Sequence, residues 1–208
     1  MFAILRQHWQ PFWVDIIPAY ASLTIVYDVV AIRKHSLSAY AWMKSELEKT
    51  LGMIQDDHIV PVRTIQVPVC YDLSFAPDSK RLMVEKKVSI ENLIELHTQQ
   101  TYRVYMIGFL PGFAYMGSVD KRIAMPRLES PHPLVPAGSV GIAGSQTGIY
   151  PVDSPGGWNI IGRTPLKIFD ADASNPILFQ SSDEVRFISI SKKEFELFDA
   201  STYQHLFL

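Results

Sequence analysis

The chain has 208 residues, 48% of them hydrophobic and 19% charged, with a formal net charge of −2. That length suits one large domain or two unequal ones, and the composition is that of a folded chain with a real core. Nothing in it suggests a polyanion partner, which requires clustered Lys and Arg, and the single cysteine, Cys70, excludes an intrachain disulfide.

In chain order, residues 1–13 mix polar and apolar positions, and residues 14–20 and 23–27 read as two β-rich strands. The longest apolar region, residues 16–32, is broken by Pro18 and Asp28, so it does not supply the roughly 20 apolar residues of a membrane span. The opening residues also lack the pattern of a signal peptide, and a cytoplasmic location is expected. Residues 38–51 predict an amphipathic helix, with Tyr40, Met43, Leu47 and Leu51 on one stripe and Gly52 as its stop. At residues 64–71 the period changes to two, which places a domain boundary at Pro61: a small α/β domain over 1–61 and a mostly β domain over 62–208. Two short helices follow, over 78–85 and 90–99, the second with Ser89 as N-cap and Asn92 where a capping box would have Glu. Beyond Tyr102, Gly and Pro crowd into residues 108–162. Short strands are expected at 104–110, 139–143, 158–161, 167–169, 177–179 and 185–190, a pattern of barrels and sandwiches.

Two turn-forming stretches stand out. Pro111-Gly112, beside Phe109, Phe113 and Tyr115, fits the centre of a type II turn, and Pro155-Gly156-Gly157, beside Trp158, repeats the device. Such turns could hold a planar or anionic small molecule, or the aromatics could simply cover glycine turns; the residues alone leave both readings open. Between them, glycines recur through residues 136–151 and would let the backbone approach a ligand or a neighbouring strand. No dinucleotide fingerprint and no phosphate loop is present. The six histidines form no metal-binding pair, so no metal is expected; His97, closing an apolar helix, reads as structural. Arg127 and Arg163, beside Gly/Pro turns, could clamp a carboxylate or phosphate, or form surface ion pairs.

These stretches together resemble one family. The ordered string Gly-Phe-x-Pro-Gly-Phe-x-Tyr (108–115), Pro-Arg (126–127), Val-Pro-Ala-Gly-Ser-Val-Gly-Ile-Ala-Gly-x-Gln-Thr-Gly-Ile-Tyr-Pro (135–151) and Ser-Pro-Gly-Gly-Trp-x-x-Ile-Gly-Arg-Thr (154–164) is similar to the KipI / 5-oxoprolinase B-subunit family, also described as allophanate hydrolase subunit 1 or carboxyltransferase subdomains C and D. The resemblance runs from about Trp13 to Ile190. It implies an α+β chain whose small α/β domain precedes a cyclophilin-like β-barrel. It also implies an ATP-dependent 5-oxoprolinase that opens 5-oxoproline to L-glutamate, with two partner proteins, one KipA-like (C-type) and one of the LamB/YcsF type (A-type). Under it, Arg127, Gly138, Ser139, Gly144, Gln146, Tyr150 and Arg163 become candidates for binding substrate or phosphate. Phe109, Pro111, Gly112, Phe113, Tyr115, Pro155, Gly156, Gly157 and Trp158 become candidates for shaping the pocket; catalytic residues are not assigned.

Three departures from the family pattern carry expectations. Pro131-His132 stands where Pro-Arg is usual, which weakens an anion role there. Ser182-Asp183 replaces Gly-Asp before the last strand, so a turn that wants φ > 0 is expected to be strained or reshaped. A Gly-rich strand and most of a helix, on the order of 30 residues by usual element lengths, have no counterpart before Trp13. Residues 1–8 then read as that helix's tail, and the small sheet is expected to expose an edge. Two other functions share the resemblance: a KipI-like inhibitor of a sensor histidine kinase and a carboxyltransferase component related to urea carboxylase.

Overall fold

The computed structural model describes residues 2–52 and 62–199. The chain divides into two compact units, Met1–Pro61 and Val62–Leu208; Pro61 itself, His58 and His205 lie outside the described residues.

The first unit opens with helix α1 (Phe2–Gln7), within the residues 1–8 read as helical. Strands β1 (Trp13–Pro18) and β2 (Leu23–Tyr27) pair antiparallel with Ile16 opposite Ile25, and among the described residues their sheet has two strands. Helix α2 (Val29–Arg33) is five residues long, too short for periodicity to reveal; the Asp28 carboxylate caps it by accepting from Ala31 N–H at 2.9 Å. Helix α3 (Ala39–Gly52) matches the amphipathic reading in extent. Of its expected apolar stripe only Met43 is buried, while Tyr40 is 71% exposed. Leu5, Trp13, Ile16, Ile32, Ala39 and Met43 form this unit's core.

In the second unit, β3 (Thr64–Cys70) leads into α4 (Ser79–Lys86) and α5 (Ile90–Thr98). The Ser89 hydroxyl caps α5 by accepting from Asn92 N–H, as its position predicts. Eight strands follow: β4 (Thr101–Ile107), β5 (Ala114–Gly117), β6 (His132–Val135), β7 (Ser139–Ala143), β8 (Gln146–Ile149), β9 (Ser154–Gly156), β10 (Asn159–Arg163) and β11 (Glu184–Ile190). A short helix α6 (Lys192–Glu196) starts from a complete capping box between Ser191 and Glu194. Seven strands close a barrel in the order β10-β3-β11-β4-β5-β8-β7, and β6 pairs with β9 outside it. The protein is therefore a mixed α and β fold built on a closed barrel. Among the described strands only β3 and β11 run parallel, from Thr64 opposite Glu184 to Cys70 opposite Ile190. No described helix is long and apolar enough to cross a membrane.

Residues 167–169 and 177–179 are not the strands their composition suggests. They meet in one isolated bridge, Phe169 to Ile177. Pro176 has no N–H to extend a ladder, so the pairing stops.

The barrel is filled by Ile65, Val67, Val104, Met116, Val140, Ile142, Ile161, Phe187 and their neighbours. One polar chain crosses this core. Thr147 Oγ1–H donates to Gly141 O at 3.0 Å, so the 3.0 Å contact between Thr147 Oγ1 and His97 Nε2 is an N–H donated by the ring. His97 Nδ1 then accepts the Tyr71 hydroxyl at 2.7 Å. Burial alone pushes the imidazole down to about 3, which keeps it neutral. His97 is thus a satisfied core histidine, in line with its structural reading.

Candidate functional site

The Pro136-Ala137-Gly138-Ser139 segment turns the chain into β7. Ser139 N–H returns to Pro136 O at 3.2 Å, and Gly138 takes φ +82°. A Cβ there would run into the Thr164 backbone carbonyl oxygen, so only glycine fits. The turn sits against β10, where Arg163 is the cross-strand neighbour of Ser139. Arg163 Nε donates to Ala137 O at 2.8 Å, which fixes the start of the guanidinium against the turn. Among the described residues no carboxylate pairs with it.

Arg163 and Ser139 line a cavity of about 310 Å³ with Ser74, Phe75, Pro77, His132, Leu134, Val135, Pro136 and Ile160. That volume is at the small end of the range for small-molecule sites. The Lys192 ammonium, outside the lining, bonds the Ser74 hydroxyl at 3.2 Å. Asp78 stands behind the cavity as the N-cap of α4, yet its carboxylate makes no capping bond. Instead Oδ2 accepts from Ile160 N–H at 2.7 Å and meets His132 Nε2 at 2.9 Å. A larger cavity, about 360 Å³, lies in the first unit between β2 and α3. It is lined mainly by apolar side chains, and its two charged groups, Lys44 and Glu48, pair with each other. Lacking converging free polar groups, it is the weaker candidate for recognition of a polar ligand.

The remaining sequence candidates lie elsewhere. Pro111-Gly112 is the expected turn: Gly112 has φ +84°, and Phe113 N–H closes it on Leu110 O at 3.0 Å. The expected second turn is not one. Residues 154–156 are strand β9, and neither Gly156 nor Gly157 takes a positive φ. Gly156 is glycine because the Tyr150 hydroxyl packs where its Cβ would be. Pro155 is exposed on that strand. Phe113, Tyr150 and Trp158 are buried with Val135 and Ile160, and the Phe113 ring stands edge-on to Tyr115, Tyr150 and Trp158 at 4.9, 5.4 and 5.3 Å. These rings fill a second small core and do not line the Arg163 cavity. Burial raises the Tyr150 hydroxyl above its usual range, opposed by a backbone hydrogen bond from Trp158 and by the Arg127 charge. Arg127 is exposed, and Gly144 and Gln146 form the far end of the β7–β8 hairpin. Phe109 is 65% exposed and holds φ +74°.

The family described as carboxyltransferase domain, subdomain C and D, matches residues 1–179. The chain is 43% identical over 195 residues to the 5-oxoprolinase B subunit of Bacillus subtilis (strain 168), covering 91% of this chain and 81% of that protein. It belongs to the KipI / 5-oxoprolinase B-subunit family. Among solved structures, PH0987 from Pyrococcus horikoshii matches with a TM-score of 0.61 and 41% identity, covering 93% of this chain and 86% of that one. TTHA0988 matches with a TM-score of 0.75 and 33% identity over 91% of this chain, which spans 36% of that longer protein.

Sequence reasoning found Arg163 and Ser139 in this family member but missed Asp78, His132 and Ser74 as companions. Asp78 reads as the acid that starts a helix, and only the geometry shows that it does not cap. His132 registers as a departure from Pro-Arg, with nothing in its spacing to join it to a carboxylate 54 residues away.

Proposed function

We propose that this chain is the B-type, non-autonomous component of an ATP-dependent 5-oxoprolinase that opens 5-oxo-L-proline to L-glutamate. The 43% identity to the B. subtilis 5-oxoprolinase B subunit, across 81% of that protein, carries the reading. The Arg163 cavity supplies a place for it: an amino-acid-sized volume with an unpaired guanidinium suits a small ring bearing one carboxylate. A lactam resists water, and phosphorylation of its carbonyl oxygen by ATP would make the carbonyl carbon a better electrophile. ATP enters as a co-substrate, held on surfaces shared with the KipA-like and LamB/YcsF-type partner proteins. The role of this chain's own residues is to bind and orient the lactam acid. The buried, reduced Cys70 suits a cytoplasmic enzyme.

The test is 5-oxoproline-dependent ATP hydrolysis by a reconstituted complex, omitting each component in turn. Omission of this chain should abolish activity, and Arg163→Gln should raise KM for 5-oxoproline by about 30-fold, the loss expected for a charge-assisted hydrogen bond. Full turnover without this chain ends the proposal; unchanged kinetics for Arg163→Gln would remove the carboxylate from Arg163.

A further inference from the structure

The cavity holds one histidine whose hydrogen-bonding state is set by its surroundings. Asp78 is 8% exposed, and its Oδ2 receives both the Ile160 backbone N–H and His132 Nε2. A backbone N–H can only donate, so this oxygen is an acceptor and His132 Nε2 carries the proton between them. Asp78 N–H donates in return to Ile160 O at 3.1 Å, so the carboxylate is tied to β10 from both its backbone and its side chain. In a neutral imidazole the nitrogen left for a ligand is then Nδ1, an acceptor. Arg163, in the same cavity, offers donors only. The cavity therefore presents a cation from Arg163 and, with the imidazole in its neutral form, an acceptor from His132.

We infer that His132, oriented by Asp78, is a specificity-determining residue that accepts the ring N–H of 5-oxo-L-proline while Arg163 holds its carboxylate. This rests on the reading of the cavity as the 5-oxoproline site and names the group that selects the lactam. In 5-oxoproline the N–H and the carboxylate are borne by neighbouring ring atoms, so a cation and an acceptor in one small cavity read both from a single edge. The matching lactone, 5-oxotetrahydrofuran-2-carboxylate, keeps the carboxylate and the carbonyl but puts a ring oxygen where the N–H was. Its lone pairs would face the lone pair on Nδ1. A site built around a hydrogen bond disfavours the analogue that cannot make it, because the acceptor is left facing the ligand unpaired. His132 thus gives a chain that lacks the arginine expected at this position an acceptor in its place.

The experiment is calorimetric titration of the reconstituted complex, without ATP, with the lactam and the lactone at about pH 8, where an ordinary imidazole is neutral. The wild type should prefer the lactam by about tenfold or more. His132→Phe, which keeps a ring but no acceptor, should bring the preference to about twofold or less. His132→Gln, whose amide oxygen can accept, should retain part of it, and this guards against misfolding as the cause. Arg163→Gln should weaken both compounds by similar factors and preserve the ratio. An unchanged preference in His132→Phe, no preference in the wild type, or no binding of 5-oxoproline overturns the inference. The component-omission assay decides the oxoprolinase reading separately, so the two can fail independently.

Discussion

His97 and His132 each bond through Nε2, yet they sit in regions of opposite character. Around His97 every valence is closed inside the barrel: Tyr71 donates to one nitrogen, the other donates to Thr147, and the Tyr102 hydroxyl donates to the His97 backbone carbonyl at 2.9 Å. Around His132 only one nitrogen is committed among the described residues, to Asp78, and the side chain is 31% exposed in the cavity it shares with Arg163. A closed network can only stabilise; an open one has a group left over for a ligand. The contrast implies that the two histidines fail differently when removed.

The largest expected effect breaks the comparison if it is absent. His97→Ala removes a packed ring and leaves the buried Tyr71 hydroxyl without its acceptor, a loss of about 4 kcal/mol by urea denaturation. His132→Ala, at a partly exposed site where Asp78 keeps the Ile160 N–H, should cost less than about 1 kcal/mol. Equal losses would mean that the cavity wall is structural core.

The next effect is a pH dependence. In the unfolded chain an imidazole titrates near 6.5, whereas burial holds His97 at about 3. Between these values the unfolded state binds a proton that the native state does not, so stability falls as pH falls through that window. Lowering the pH from 6.5 to 5 should cost the wild type about 1.6 kcal/mol, the slope rising from about 0.7 to about 1.4 kcal/mol per unit, before most carboxylates protonate. His97→Leu should be less stable at neutral pH but flatter over the same interval. A slope that His97→Leu leaves intact would place the titration elsewhere.

The same contrast explains what could be read in advance. Strands with clean alternation or long β-branched runs, such as β3, β7 and β11, and the capped helix α5 declare themselves through local pattern. Strands β5, β6, β8 and β9 have three or four residues each and are rich in Gly, Pro and aromatics, so their pairing, in the barrel for β5 and β8 and beside it for β6 and β9, is decided by long-range contacts. Gly156 is the clearest case: its Pro-Gly-Gly context signals a turn, yet it pairs with His132 as strand, and Tyr150 is what requires the glycine. The candidate site divides in the same way. Arg163 and Ser139 lie in one recognisable string, but Asp78, tied to Ile160 on β10, meets His132 of β6 only in the folded chain.

The smallest effect concerns a turn where a local reading and the structure agree. Ser182 occupies the position where the family pattern has glycine, and it keeps the left-handed backbone, at φ +81°. The turn survives because its neighbour anchors it. The Asp183 carboxylate takes Arg63 Nε at 3.1 Å and Nη2 at 2.5 Å, and Oδ2 also accepts Gln180 N–H at 2.7 Å. The Ser182 backbone N–H donates to Val104 O at 2.8 Å, which glycine would keep, and its side chain adds one long contact, 3.5 Å from Arg103 to the hydroxyl, on an exposed surface. Glycine would relieve the Cβ strain of the left-handed region, about 1–2 kcal/mol, and return part of it as unfolded-chain entropy. Ser182→Gly should therefore stabilise the protein by about 0.5–1 kcal/mol in thermal or urea denaturation, with no change in ligand preference. Destabilisation would mean that the hydroxyl, and not the Asp183 carboxylate, holds this turn in place.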